Sequence, residues 1–94
     1  MPSIYLEPTE ENRQIAQAIK AAAPACDIRV QEKVIAIFTR SEGPLRIVRR
    51  KVEESLGRAL TAEVWKGLFA RHTGEVASLS DREVLLEDQY YSPG

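Results

Sequence analysis

His72 is the only histidine and Cys26 the only cysteine in this 94-residue sequence. A two-histidine metal site and an internal disulfide are therefore excluded. Cys26 and His72 make up the one conceivable nucleophile–base pair, because a thiol needs a nearby base or cation to attack at neutral pH. Neither carries a local signature for that role. Cys26 falls between Pro24 and Asp27 at a helix-to-strand junction, an ordinary place for a small structural cysteine, and His72 falls at an element end. The carboxylate pairs Glu10-Glu11, Glu53-Glu54 and Glu87-Asp88 occur at helix starts or on polar faces, where solvation is their default role. Acid–base work needs carboxylates that converge in a pocket, and adjacency in sequence does not bring that about. Ser41-Glu42-Gly43-Pro44 holds a single glycine, and its proline removes a backbone donor that a phosphate nest would use. The sequence thus predicts a non-enzymatic protein with no cofactor and no metal site.

A second chemistry is available to the basic residues. Arg46, Arg49, Arg50 and Lys51 cluster on a predicted helix, with Arg40 just before it and Arg58 just after. At 100° per residue Arg46, Arg49 and Arg50 share a face with Glu53, opposite Val48 and Val52, and could touch phosphates. Two features weaken this. Arg49 and Glu53, and Arg50 and Glu54, are spaced as i,i+4 ion pairs, each stabilising a helix by only about 0.2–0.5 kcal/mol. Known nucleic-acid modules also fit badly. A helix-turn-helix with Gly57 in its turn would place Arg58 and Glu63 where apolar residues belong. The third predicted strand reads Lys-Val-Ile-Ala-Ile-Phe, unlike the RNA-recognition pattern. Nucleic-acid binding through Arg40, Arg46, Arg49, Arg50 and Arg58 is the alternative reading.

The elements that position these residues follow from hydrophobic period. Ile4–Glu7 alternates as a strand, Pro8 breaks it, and Thr9 caps a helix over about 10–22 that presents Ile15, Ala18, Ile19, Ala22 and Ala23. Asp27–Gln31 and 34–39 read as a hairpin of two strands joined at Glu32-Lys33. Pro44 opens a second helix with Leu45, Val48, Val52 and Leu56 at steps of three and four, ended by Gly57. Residues 60–66 alternate as a strand, or form a helix capped by Thr61; the strand is adopted because it completes a familiar order. Beyond it, 75–79 and 83–87 pair as a hairpin, unless Ser80-Asp81-Arg82-Glu83 works as a capping box and starts a helix. The tail 90–94 is expected to fray. The predicted fold is one α+β domain over 1–94. It is a small two-layer sandwich with the ferredoxin-like order β-α-β-β-α-β over 3–66, and an extension over 67–94 packs on or beside the sheet.

Charge and length set the outer bounds. The net charge of −1 recruits neither nucleic acid nor membrane in bulk. Its distribution is uneven: residues 28–72 hold ten Lys or Arg against five Glu, and both ends are acidic. No apolar run reaches the length of a membrane span, and the N-terminus lacks the pattern of a signal peptide, so a cytoplasmic setting is expected.

The strongest functional signal is Val34-Ile35-Ala36-Ile37-Phe38, apolar on both faces of a strand. With the helices on the face of Val34, Ala36 and Phe38, the other face would display Tyr5, Arg29, Ile35, Ile37, Glu63 and Trp65. Aromatic and aliphatic anchors rimmed by charge have the make-up of a protein interface. The predicted function is binding through this apolar sheet face, to a protein partner or a second copy, as a regulatory or accessory factor. Ile35, Ile37 and Trp65 would anchor it, and Arg29 and Glu63 would set register.

Overall fold

The computed structural model describes residues 2–40 and 43–87. The expected fraying of 90–94 falls outside them.

The first strand, β1 (Ser3–Leu6), ends before Pro8, and α1 (Glu10–Ala22) follows. Thr9 caps α1 by accepting a hydrogen bond from the Asn12 N–H at 3.1 Å, an interaction that typically stabilises a helix by about 1 kcal/mol. Glu10 and Glu11 sit in the first turn, where the helix dipole favours them. Ile15, Ala16, Ala18 and Ile19 form the buried stripe of α1. Next come β2 (Cys26–Val30) and β3 (Ile35–Thr39), which pair antiparallel as the expected hairpin.

The chain then departs from the ferredoxin-like order. Residues Leu45–Val48 are a strand, β4, and only then does α2 (Arg49–Leu56) begin. Leu45 and Ile47 are buried while Arg46 between them is exposed, a period of two that overrides the helical spacing of Leu45 and Val48. Gly57 ends α2 with φ 82°, as its position predicts. Residues 62–67 are the helix α3 (Ala62–Gly67), capped by Thr61, so the strand assignment for 60–66 gives way to its alternative. The rest is β5 (His72–Thr73), β6 (Glu75–Leu79) and β7 (Glu83–Glu87). Ser80 Oγ accepts from the Arg82 and Glu83 N–H groups, both at 3.2 Å, so the capping-box sequence closes a hairpin turn instead of starting a helix.

Two antiparallel sheets result, β2-β3-β1-β5 and β4-β7-β6. Helix α1 packs on β2, β3 and α2, and one core spans both sheets. It joins Ile4, Leu6, Ile35 and Ile37 of the first sheet to Leu45, Ile47, Val84 and Leu86 of the second, with Trp65, Leu68 and Phe69 closing it. The α+β class stands. The extension adds β5 beside β1 at the edge of the first sheet and pairs β7 with β4 in the second.

Gly74 carries the chain from one sheet to the other with φ 87°. A Cβ there would lie 2.5 Å from the Glu87 carbonyl oxygen and 3.2 Å from Pro2 Cβ. Gly74→Ala combines backbone strain with that clash. It is expected to cost about 2 kcal/mol or more, read as a lowered urea midpoint at unchanged slope.

Candidate interaction surface

Register decides which face of the first sheet is free. Residues paired across an antiparallel ladder share a face. Ile4 pairs with Ile37, Leu6 with Ile35 and Ile28 with Ile37, so these point inward. Ser3 pairs with Phe38 and Thr73, and Ala36 with both Tyr5 and Arg29, so these point outward. The two faces of β3 are therefore exchanged against expectation, while Ile4, Leu6 and Ile28 stay inside and Tyr5 and Arg29 outside. Ile35 and Ile37 are fully buried, and Trp65 is too. None of the three can anchor a partner on a free surface. The physical reason is size: Ile35 and Ile37 fill the space beneath α1, whereas Ala36 on the opposite face would leave it underpacked. Trp65 leaves the expected face altogether, because it lies on α3. Its indole N–H donates to the Ser80 carbonyl at 2.8 Å, and its ring meets Phe69 edge-on at 4.7 Å.

The outer face keeps Tyr5 and Arg29 of the predicted set. With Ser3, Gln31, Ala36, Phe38 and Thr73 they line a shallow concavity of about 400 Å³. Ser3 Oγ donates to the Tyr5 hydroxyl at 3.0 Å and also pairs with the Thr73 hydroxyl, which ties β1 to β5 and steadies the tyrosine ring. The Arg29 guanidinium lies 6.0 Å from the Phe38 ring centroid, at the outer limit of a cation–π contact. An aromatic, half-buried centre bordered by polar donors is what a protein-binding patch requires. Glu63 is exposed in the first turn of α3 and does not join this face. Ala36 and Phe38, expected beneath the helices, both lie on this outer face. Their signal was the parity of β3 against β1, which an all-apolar strand does not display.

The basic residues are dispersed and engaged. Arg46 is on β4, not on a helix, and bonds Glu83 at 2.7 Å. Arg49 is tied to Glu53 and to the Asp81 and Leu60 carbonyls. Arg50 pairs with Glu54, Arg58 with Glu11, and Arg40 donates to the Pro24 carbonyl. The single basic helix face expected for nucleic acid is not formed.

Cys26 is buried, and burial pushes its thiol from 9.0 up to about 11, with Arg40 opposing part of the rise. At pH 8 the native thiolate population is then about 100-fold below that of the unfolded chain. Thiol reagents are expected to label Cys26 at the rate of unfolding only. Because the folded state holds this proton more tightly, stability is intact below pH 9 and declines as pH rises toward 11.

Sequence comparison supplies the identity that surface chemistry leaves open. The model of the MmoB/DmpM family matches residues 3–87, nearly the whole described chain. The chain belongs to the MmoB/DmpM family. Members of the MmoB/DmpM family are regulatory proteins of monooxygenase hydroxylases and are not themselves catalytic, so this chain is a non-enzymatic interaction protein. Two solved structures have similar shapes. One, with TM-score 0.73 and 24% identity over 94% of this chain and 98% of the other, comes from a phenol hydroxylase–regulatory protein complex. A second structure of such a complex gives TM-score 0.64 and 25% identity over 92% and 96% of the two chains. Comparison with curated proteins yields no match. Among the described residues no helix is long and apolar enough to cross a membrane.

Proposed function

We propose that this chain is a cytoplasmic regulatory factor, a single domain that docks on an oxygenase hydroxylase through the outer face of its first sheet. The observation that carries the reading is the family match across 3–87, with structural neighbours drawn from phenol hydroxylase–regulatory protein complexes. Support for the surface comes from its geometry. Phe38, Tyr5 and Ala36 are half-buried on a face that turns away from α1, and Arg29 borders them. Docking would remove the Phe38 and Tyr5 rings from water, at about 25 cal/mol per Å² of apolar area, offset by the entropy of association.

The test is a calorimetric titration of a purified phenol hydroxylase with the chain, alongside turnover measurements. The native chain is expected to bind and to change turnover. A Tyr5→Ala/Phe38→Asp double variant is expected to bind at least about tenfold more weakly while keeping its native circular dichroism. Unchanged affinity in that variant would reject the surface. Light scattering at two protein concentrations separates a self-association surface from a partner surface. Tight, salt-sensitive binding to duplex DNA would revive the alternative.

A further inference from the structure

Register lines up four residues straight across the outer face of the first sheet. Arg29 pairs with Ala36 and Ala36 with Tyr5, and the Tyr5 N–H donates to the carbonyl of Arg71, just before β5, at 3.0 Å. The row therefore reads Arg29, Ala36, Tyr5, Arg71, with an arginine at each end and a small side chain within it. The neighbouring row holds Asp27, Phe38, Ser3 and Thr73. Resting on the docking reading above, we infer that this face grips a carboxylate side chain of the hydroxylase, seated over Ala36 between the Arg29 guanidinium and the Tyr5 hydroxyl.

Serine, threonine and tyrosine hydroxyls each hold one proton. Ser3 Oγ donates its proton to the Tyr5 hydroxyl, so in its contact with Thr73 it accepts, and Thr73 Oγ1 is the donor there. The order Thr73 to Ser3 to Tyr5 is thereby fixed. It ends on the Tyr5 proton, which meets no acceptor among the described residues. Each bond in such a chain polarises the next, so the last O–H is a stronger donor than that of an isolated tyrosine. Ser3 is 7% exposed and roots the chain in the sheet, and all three residues line the concavity. A half-buried ring that ends on an unused donor calls for an acceptor from outside.

Charge selects the kind of acceptor. Arg29 leans over Phe38, and neither Arg29 nor Arg71 forms an ion pair among the described residues. Two negative groups lie nearby. Asp27 is engaged at the sheet edge, where its Oδ1 accepts from the Ile28 N–H at 2.9 Å and meets Lys20 at 3.4 Å. Glu7 is exposed past the end of β1 and pairs with neither arginine. The face is left with two unpaired guanidinium groups against one free carboxylate. A neutral carbonyl would satisfy the hydroxyl but leave Arg29 desolvated and unpaired on docking, which is costly. A carboxylate satisfies both, through charge-assisted bonds that are the strong ones.

The test uses the full chain and a purified phenol hydroxylase, with affinity read by calorimetry between about 50 and about 500 mM sodium chloride. Native affinity is expected to fall as salt rises. Tyr5→Phe, which removes only the hydroxyl, and Arg29→Gln should each weaken binding about tenfold at low salt with native circular dichroism. Combined, they should weaken it by clearly less than about 100-fold, because both act on the same carboxylate. Arg29→Gln/Arg71→Gln should flatten the salt dependence. Native affinity indifferent to salt would overturn the inference. So would Tyr5→Phe and Arg29→Gln binding like the native chain, or losses that multiply in full; if Tyr5→Ala/Phe38→Asp is still weak, the docking face survives. If that double variant also binds normally, or the native chain does not bind, the docking reading falls and takes the inference with it. A salt-sensitive dimer in light scattering, lost in Tyr5→Phe, would assign the carboxylate to a second copy and overturn it too.

Discussion

Ile37→Asp is expected to unfold the protein, whereas Phe38→Asp, one position further along β3, leaves it folded. Ile37 is fully buried and opposed on its two sides by Ile4 and Ile28. The substitution removes a whole buried side chain, worth about 2–5 kcal/mol with its cavity. It also buries a carboxylate with no cation to meet it, which adds several kcal/mol more or forces protonation. A 94-residue domain has only about 5–14 kcal/mol in total to lose. Phe38 faces outward between Arg29 and Asp27, so an aspartate there stays hydrated, with the guanidinium offsetting the repulsion of Asp27 directly across the ladder. Its cost should be about 1 kcal/mol. Far-ultraviolet circular dichroism and urea denaturation of the two variants distinguish the faces of this one strand. A folded Ile37→Asp protein would mean that the register between β1 and β3 is wrong.

Trp65→Ala is the second large effect, expected to cost about 3–5 kcal/mol. The ring is completely buried, packs edge-on against Phe69, and donates its N–H to the Ser80 carbonyl at 2.8 Å. Alanine leaves a cavity of indole size and strips Ser80 of that donor. Trp65→Phe keeps most of the apolar volume and loses the hydrogen bond, so its loss should be closer to 1–2 kcal/mol. The order of urea midpoints, native above Phe above Ala, checks both parts. Equal midpoints for the two variants would show that the hydrogen bond and not the packing dominates.

Much of the fold was legible wherever one period was unopposed. The helix over 10–22, its Thr9 cap, the hairpin of β2 and β3 and the Gly57 stop are all found at the expected places. Reading failed where two periods fit the same residues. Leu45 and Val48 suit a helix, but Leu45 and Ile47 suit a strand, and pairing with β7 settled the matter in favour of the strand. Residues 60–66 offered both patterns, and the Thr61 cap with Trp65 and Leu68 on one side won.

The site was legible as chemistry and illegible as orientation. A two-faced apolar strand does reveal that one face must meet something. It does not reveal which face, because parity is fixed by the partner strand and not by the strand itself. Of the six residues expected at the surface, Tyr5 and Arg29 face outward, Glu63 is exposed elsewhere, and Ile35, Ile37 and Trp65 are core.

The burial of Trp65 has a practical consequence for anyone studying complexes of this protein. It is the only tryptophan, and it sits at the seam where α3 meets the turn between β6 and β7. Intrinsic fluorescence excited at the red edge therefore reports on that seam and on nothing else in the chain. A ligand that merely covers the outer face of the first sheet should leave the emission wavelength where it was. A red shift on complex formation would be the optical signature of the second sheet parting from α3, and so would separate passive attachment from a regulator that is itself reshaped.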